Sequence, residues 1–202
     1  MMYFTSDHHF FHENIIKLTN RPFTSLDQMH ETLIKNWNSM VTDEDIVIVV
    51  GDFIFRQGSF RQWKTVLDQL NRKSLIWLLG NHDPKQYNYC IKLGANLACN
   101  ELTLKIANEK VAVSHYPYQP SWFKKQIIRY TNSRYYDSLH KRPVNHGQFL
   151  IHGHTHSTRQ VNQNMINVCV DAWDFYPVSV NQIATLIQQI KEGKYNEGNS
   201  RI

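Results

Sequence analysis

Hydrophobic and polar positions follow two periods in the first part of the chain, which predicts strands that alternate with helices. Short apolar runs predict three strands, at residues 3–5, 46–50 and 75–79. The β-branched run at 46–50 is typical of a strand that is buried on both faces. Apolar residues three and four positions apart predict helices at residues 12–18, 26–40 and 60–70. This β-α-β-α-β order indicates an α/β protein.

Polar residues mark where several helices begin and end. A serine followed three residues later by a glutamine is typical of a capping box, and it occurs at Ser25 and Gln28, Ser59 and Gln62, and Ser179 and Gln182. Pro84 suits a first helical position and Gly94 a position past the last turn, so another helix is predicted between them. Its inner side is predicted to carry Tyr87 and Ile91.

From residue 97 onward the pattern changes to short strands. Residues 102–106 and 111–114 alternate apolar and polar side chains, which predicts a hairpin. Further strands are predicted at residues 149–151, 159–161 and 166–170, and a last helix follows Ser179.

Residues 120–147 form an irregular segment in which aromatic residues are interleaved with cations. The residues concerned are Trp122, Phe123, Tyr130, Tyr135 and Tyr136 with Lys124, Lys125, Arg129, Arg134, Lys141 and Arg142. Such a segment either stacks bases and neutralises phosphates, or packs its aromatic rings inward and leaves its charges in solvent. Both interpretations stay open.

Length and composition agree with one domain. At 202 residues, of which 42% are hydrophobic and 12% aromatic, the chain is predicted to form one domain over residues 1–190, followed by a polar tail at 191–202. The net charge of +5 favours phosphates, nucleotides or nucleic acid as partners, although a mildly basic protein without them fits equally well. The 3 cysteines lack a CxxC spacing, and no export signal or membrane-spanning run is recognised, so a reducing cytoplasm is expected.

Polar residues with metal-binding side chains follow the predicted strands. They are Asp7, His9, Asp52, Asn81, His115, His154 and His156. Strand ends of α/β proteins commonly face the ligand-binding crevice. Carboxylate and amide oxygens together with imidazole nitrogens suit manganese, iron, zinc or cobalt. Because these residues exceed what one ion normally takes, two ions that share one carboxylate are the economical arrangement.

Five ordered motifs resemble those of the calcineurin-like metallophosphoesterases: Asp7-His8-His9, Gly51-Asp52, Gly80-Asn81-His82-Asp83, the single His115, and Gly153-His154-Thr155-His156. The resemblance implies a two-sheet β-sandwich flanked by helices, with two divalent metal ions at one edge. Manganese is favoured, with iron, zinc, cobalt or nickel as alternatives. One departure is that many relatives carry an aspartate shortly after Gly-Asp, where this chain has Phe53-Ile54-Phe55-Arg56.

The same resemblance implies a role for each motif residue. Asp7, His9 and His156 would bind one metal, Asn81, His115 and His154 the other, and Asp52 would bridge the two. His82 would stabilise the phosphoryl oxygens and protonate the leaving group, while Asp83 would fix and polarise the His82 imidazole.

The function expected from this resemblance is hydrolysis of a phosphodiester in a nucleotide or nucleic acid, by hydroxide that the metals activate. The preference for a diester follows from the short basic chain and its aromatic and cationic segment. One alternative is a phosphomonoesterase that acts on small metabolites or phosphoproteins. The other is a catalytically silent scaffold that binds nucleic acid.

Several further residues have two possible roles. Arg21, Arg56 and Tyr116 are candidate substrate contacts, but solvent-exposed positions explain the two arginines equally well. Asp171 either supports a metal-binding histidine or starts a turn. His8 and His12 are expected to pack or cap rather than to bind metal. His152 is rejected as a ligand because in the family the glycine precedes the first liganding histidine.

Overall fold

The computed structural model describes residues 1–121, 125, 128 and 139–195. The aromatic residues of the predicted 120–147 insertion, and residues 196–202 of the predicted tail, lie outside the described residues. None of the helices in the described parts of the chain is long and apolar enough to cross a membrane.

The first part of the chain alternates strands and helices, as predicted. Its elements are β1 (Met2–Thr5), α1 (Glu13–Leu18), α2 (Leu26–Met40), β2 (Ile46–Val50), α3 (Phe60–Leu67), β3 (Ser74–Leu78), α4 (Tyr87–Lys92) and β4 (Leu97–Cys99). The remaining elements are β5 (Glu101–Ile106), β6 (Glu109–Ser114), β7 (Phe149–His152), β8 (Val161–Asn162), β9 (Met165–Asn167), β10 (Val178–Ser179) and α5 (Val180–Lys191).

The strands form two 5-stranded mixed sheets. The first has the order β10-β1-β2-β3-β4, with β1 to β4 parallel and β10 antiparallel to β1. The second has the order β5-β6-β7-β9-β8, in which β6, β7 and β9 are parallel. The predicted two-sheet sandwich with flanking helices is therefore confirmed.

Two hydrophobic cores explain why β2 lacks polar residues. Val47 and Val49 pack toward the helices, in a core that includes Trp37 of α2. Ile48 and Val50 point the other way, into a core shared with the second sheet. Because both faces of β2 are covered, its apolar run continues without alternation.

Some local predictions were wrong. The helix expected from Pro84 begins only at Tyr87, and it buries Cys90 while Tyr87 and Ile91 are exposed. Its six residues leave room for a turn between the motif at residues 80–83 and the helix.

Two of the three capping boxes are complete, at Ser59 and Ser179. At the third, Ser25 accepts from the Gln28 backbone, but the Gln28 side chain accepts from Thr24 instead.

Candidate metal centre

The ends of five strands meet at one edge of the sandwich and bring the predicted metal ligands together. β1, β2 and β3 of the first sheet and β6 and β7 of the second lead into the motif residues. The backbone is left-handed at five of these ligands, with φ of 58° at Asp7, 53° at His9, 50° at Asp52, 72° at His154 and 49° at His156. Residues other than glycine rarely adopt this conformation, and clusters of such residues are typical of functional sites.

Two motif glycines allow the backbone to approach the ligands closely. A Cβ atom on Gly80 would lie 2.1 Å from Oδ1 of Asp52. A Cβ atom on Gly153 would lie 2.2 Å from Oδ2 of Asp7. Any larger residue at either position would therefore displace a ligand carboxylate.

The first cluster contains Asp7, His9 and His156, with one potential ligand atom from each within 4.8 Å of the others. Nε2 of His156 is 3.7 Å from Oδ1 of Asp7. Asp7 is fixed by the Ser6 hydroxyl at 2.5 Å and by the backbone N–H of His154. Nε2 of His9 is buried and has no hydrogen-bond partner among the described residues. A buried nitrogen without a partner is costly unless a ligand satisfies it.

The second cluster contains Asp52, His115 and His154, again within 4.8 Å. Nδ1 of His115 donates to the Val50 carbonyl at 2.9 Å, which leaves Nε2 directed at the cluster. Both Nδ1 of His154 and Oδ1 of Asn81 lie 3.2 Å from that Nε2. The structure thus places the seven predicted ligands in two adjacent groups.

One oxygen of Asp52 lies between the two groups. Its Oδ2 is 3.6 Å from Nε2 of His9 and 3.4 Å from Nε2 of His115. Its Oδ1 accepts the backbone N–H of His82 at 2.8 Å, which holds the carboxylate in this orientation. Oδ2 is therefore in the position that a ligand shared by two ions would occupy.

Burial and neighbouring charges shift the pKa values of the clustered side chains in both directions. Burial raises the pKa of the Asp7 carboxyl. Burial also disfavours the charged form of Asp52, but the charges of His115 and His9 together with hydrogen bonds from His115 and the His82 backbone outweigh burial and hold the pKa of the Asp52 carboxyl below the usual range. Although burial opposes it, Asp52 in turn raises the pKa of His115 to about 9. Burial lowers the pKa of His9 to about 2 and of His154 to about 3, so both imidazoles are neutral and can offer a lone pair.

The residues fit a pair of divalent metal ions. The two clusters combine carboxylate oxygens with imidazole nitrogens, and Asn81 adds an amide oxygen. This donor set suits manganese, iron, zinc and cobalt. The unpartnered nitrogen of His9 is the observation that a bound ion would explain directly.

Asp171 and Arg21 support the first cluster from behind. Nδ1 of His156 donates to Oδ2 of Asp171 at 2.9 Å, so Nε2 faces Asp7. Arg21 binds the same carboxylate with Nε at 2.8 Å and Nη2 at 2.9 Å. Asp171 therefore orients the candidate metal ligand His156, the arrangement expected for one of its two predicted roles.

The predicted phosphate contact of Arg21 is wrong. Its side chain is 0% exposed, and its remaining donors reach the Asp7 and His8 carbonyls and the Met29 sulfur. Because all its N–H groups are directed into the protein, Arg21 holds the segment that follows β1 in place instead of binding substrate.

A third group of potential ligands, His156, Cys169 and Asp171, lies on the Nδ1 side of His156. The Cys169 thiol donates to Asp171 at 3.0 Å, and burial raises its pKa well above the usual range. Arg21 already neutralises the Asp171 carboxylate. We therefore assign this group to the support of His156. Asp171 was predicted from the sequence as a possible support, whereas no sequence spacing indicated Cys169.

His12 supports His9, a role that the sequence did not reveal. The Nδ1 atoms of the two rings are 3.0 Å apart. With Nε2 of His9 directed at the cluster, Nδ1 of His9 carries the hydrogen and Nδ1 of His12 accepts it. The His12 ring is stacked on Phe55, with centroids 3.8 Å apart and planes 7° apart. In the sequence, the three-residue spacing of His9 and His12 was the one feature that could have suggested this contact. His8, by contrast, packs among aromatic rings.

Asp83 does not hold the His82 imidazole, so that prediction is wrong. Its Oδ1 accepts the backbone N–H groups of Phe53 at 2.9 Å and Ile54 at 3.2 Å, and its Oδ2 accepts that of Gly80 at 2.9 Å. No hydrogen bond joins Asp83 to the His82 ring in the described structure. Asp83 instead ties the segment after β2 to the segment after β3, and so fixes the stretch that lacks the family's additional aspartate.

His82 and Tyr116 line the open side of the centre. The half-buried His82 ring lies 5.1 Å from the His9 ring, centroid to centroid. Tyr116 is also half-buried, and its ring centroid lies 5.0 Å from that of His115 and 4.8 Å from that of His154. Arg56 is exposed and lies over the Phe55 ring at 5.9 Å.

The sequence and the fold are similar to those of known proteins. The sequence profile of the calcineurin-like phosphoesterase superfamily domain matches residues 3–181. An uncharacterised protein of Methanocaldococcus jannaschii is 32% identical over 197 residues, which cover 94% of this chain and 93% of that protein. The gene 66 protein of Mycobacterium phage L5 is 30% identical over 211 residues, which cover 94% and 95% of the two chains. A protein of unknown function from Aquifex aeolicus has a similar structure, with a TM-score of 0.67 and 25% identity over 92% of this chain and 98% of that chain.

Proposed function

This chain belongs to the calcineurin-like phosphoesterase superfamily, and we propose that it is a phosphodiesterase that acts on nucleotides or nucleic acid with the help of two divalent ions. The family supports the hydrolysis of a phosphoric ester. The preference for a diester, manganese as the native metal and a cytoplasmic location are the finer parts of the proposal.

The observation that carries the proposal is the position of Asp52. Its Oδ2 lies within 3.6 Å of a histidine nitrogen from each cluster. Two ions that share one carboxylate form the clamp used in many phosphoryl-transfer enzymes. Bound there, they would polarise the attacking water and neutralise charge on the phosphate oxygens.

The protein itself would orient the ester and supply a proton. His82 stands on the open side of the first cluster, and its backbone N–H is bound to Asp52. We assign it the protonation of the leaving oxygen, because a positioned histidine is the usual proton donor near neutral pH. Tyr116 would bound the site on the side of the second cluster.

Hydrolysis of bis-p-nitrophenyl phosphate and of p-nitrophenyl phosphate, each with Mn²⁺ and with a chelator, tests the proposal. We expect metal-dependent cleavage of the diester in preference to the monoester. His82→Ala should lower kcat by about 10²–10⁴-fold. Mn²⁺ affinity should be retained because alanine keeps the backbone N–H that binds Asp52. Asn88→Ala, on an exposed position of α4, is the matched control.

The two alternatives predict different results. Preferential cleavage of the monoester would identify a phosphomonoesterase. If Mn²⁺ binds but neither ester is cleaved, the scaffold alternative gains support and the proposed activity is refuted for these substrates.

A further inference from the structure

A polar cavity of about 420 Å³ lies on the outer face of the second sheet, next to the metal centre. One wall is formed by residues 117–121 with Arg142, and the other by residues that follow β7, including Thr155 and Arg159. Thr155 stands between the ligands His154 and His156 in the chain. The size lies within the range of about 300–1,000 Å³ typical of small-molecule sites.

Cationic side chains are present among the described residues that line the cavity. Arg142 and Arg159 line it, and none of its described lining residues is acidic. Guanidinium groups recognise phosphate through charge-assisted hydrogen bonds.

His152 lines the cavity and offers it a hydrogen-bond acceptor that no described residue uses. Nδ1 of this 4% exposed residue lies 2.8 Å from the Gly153 carbonyl. Because a carbonyl oxygen only accepts, Nδ1 carries the hydrogen and Nε2 of the neutral ring is an acceptor. Nε2 has no hydrogen-bond partner among the described residues, although the side chain lines the cavity. By contrast, the neighbouring Met165 sulfur accepts from the Tyr118 backbone.

We propose that the cavity binds the nucleotide next to the scissile phosphate. Arg142 and Arg159 would face its phosphate, and Nε2 of His152 would accept a hydrogen bond from a hydroxyl or amino group of its sugar or base. A nucleotide combines a phosphate for the arginines with sugar and base donors for Nε2 of His152. This inference rests on the proposed phosphodiesterase function, because it names the part of the substrate beyond the reacting ester.

A comparison of two substrates tests the inference. Bis-p-nitrophenyl phosphate has neither a second phosphate nor a hydrogen-bond donor, whereas a 5′-phosphorylated thymidine dinucleotide has both. We expect Arg142→Met to lower the ratio of kcat/KM for the dinucleotide to kcat/KM for the aryl ester by about 10- to 100-fold, mainly through KM. Arg61→Met, at an exposed position of α3, is the matched control and should leave the ratio unchanged.

Two variants of His152 separate hydrogen bonding from packing. His152→Leu removes the acceptor, and we expect the same ratio to fall by about 3- to 10-fold. His152→Gln keeps an amide oxygen near the position of Nε2 and should restore most of the ratio. If neither Arg142→Met nor His152→Leu lowers the ratio relative to Arg61→Met, the inference is refuted.

Direct binding distinguishes failure of this inference from failure of the proposed function. If the wild-type protein cleaves neither substrate, calorimetry with thymidine 5′-monophosphate and with inorganic phosphate, both with Mn²⁺ present, still tests the cavity. The inference expects tighter binding of the nucleotide than of phosphate, and a weakening of that preference in Arg142→Met. Equal binding of the two ligands would overturn it.

Discussion

Replacing His12 with phenylalanine would remove one hydrogen-bond acceptor from behind the first metal cluster while it keeps a flat ring against Phe55. In the wild-type protein, Nδ1 of His12 is 3.0 Å from Nδ1 of His9, and the His9 side chain is 1% exposed. Without His12, the Nδ1 hydrogen of His9 would be buried with no acceptor. We therefore expect weaker metal binding rather than a loss of the fold.

The size of the effect follows from this geometry. A hydrogen bond between neutral groups contributes about 0.5–1.5 kcal/mol, and leaving a buried donor without a partner costs about 1–3 kcal/mol. Removing the outer partner of a metal-binding histidine typically weakens metal affinity by about 10- to 100-fold. We expect the Kd for Mn²⁺ to rise by that factor in His12→Phe.

Calorimetric titration with Mn²⁺ is the direct assay, and His12→Asn is the matched variant. Asparagine places an amide oxygen near the position of Nδ1, so it keeps the acceptor but loses the ring that is stacked on Phe55. Most of the wild-type affinity should therefore return in His12→Asn. Equal affinities of the wild-type protein and His12→Phe, or equal losses in both variants, would refute the role of the hydrogen bond.

Three further predictions concern stability. Gly153→Ala places a methyl group 2.2 Å from the Asp7 carboxylate, so the protein should lose about 1–3 kcal/mol of stability and bind Mn²⁺ more weakly. Thermal unfolding should show a lower Tm, and an unchanged Tm would contradict the close approach. Asp83→Ala leaves three backbone N–H groups without their acceptor and should lower the free energy of unfolding by about 3 kcal/mol in urea, whereas Asp83→Asn should lose less. Burial lowers the pKa of His30 to about 4, so the unfolded chain binds the proton more tightly and stability is lost as pH falls from about 6.5 toward 4. The side-chain amide of His30→Gln can still accept from the Phe11 backbone. Between pH 7 and pH 5 this variant should lose about 2 kcal/mol less stability than the wild-type protein. An identical loss in the two proteins would contradict a neutral His30.

The strand-end residues could be predicted from the sequence because two simple patterns coincide there. The apolar run of β2 locates a buried strand, and Gly51 and Asp52 follow it directly. An apolar run followed by polar motif residues recurs after β1, β3 and β7, and parallel strands bring such ends to one edge. What periodicity could not supply was the orientation of each side chain, which depends on left-handed backbone at ligands such as Asp7 and His154.

The supporting residues were harder to predict because their partners are distant in the chain. Arg21 and Asp171 are 150 residues apart, and each alone resembles an ordinary surface or turn residue in the sequence. Asp83 is next to His82 in the chain, yet its hydrogen bonds reach back 30 residues to Phe53. Proximity in sequence therefore suggested the wrong partner, and only the packing of the β2 and β3 ends reveals the right one.

The two clusters are held in different ways, and this difference separates their responses to mutation. The histidines of the first cluster are oriented by side chains, His9 by His12 and His156 by Asp171. In the second cluster, the described contacts that orient His115 and Asp52 come from the backbone, at Val50 and His82. Substitution of a supporting side chain can thus weaken the first metal position while the backbone contacts of the second persist. If the two positions bind with separate affinities, His12→Phe should reduce the first affinity more than the second.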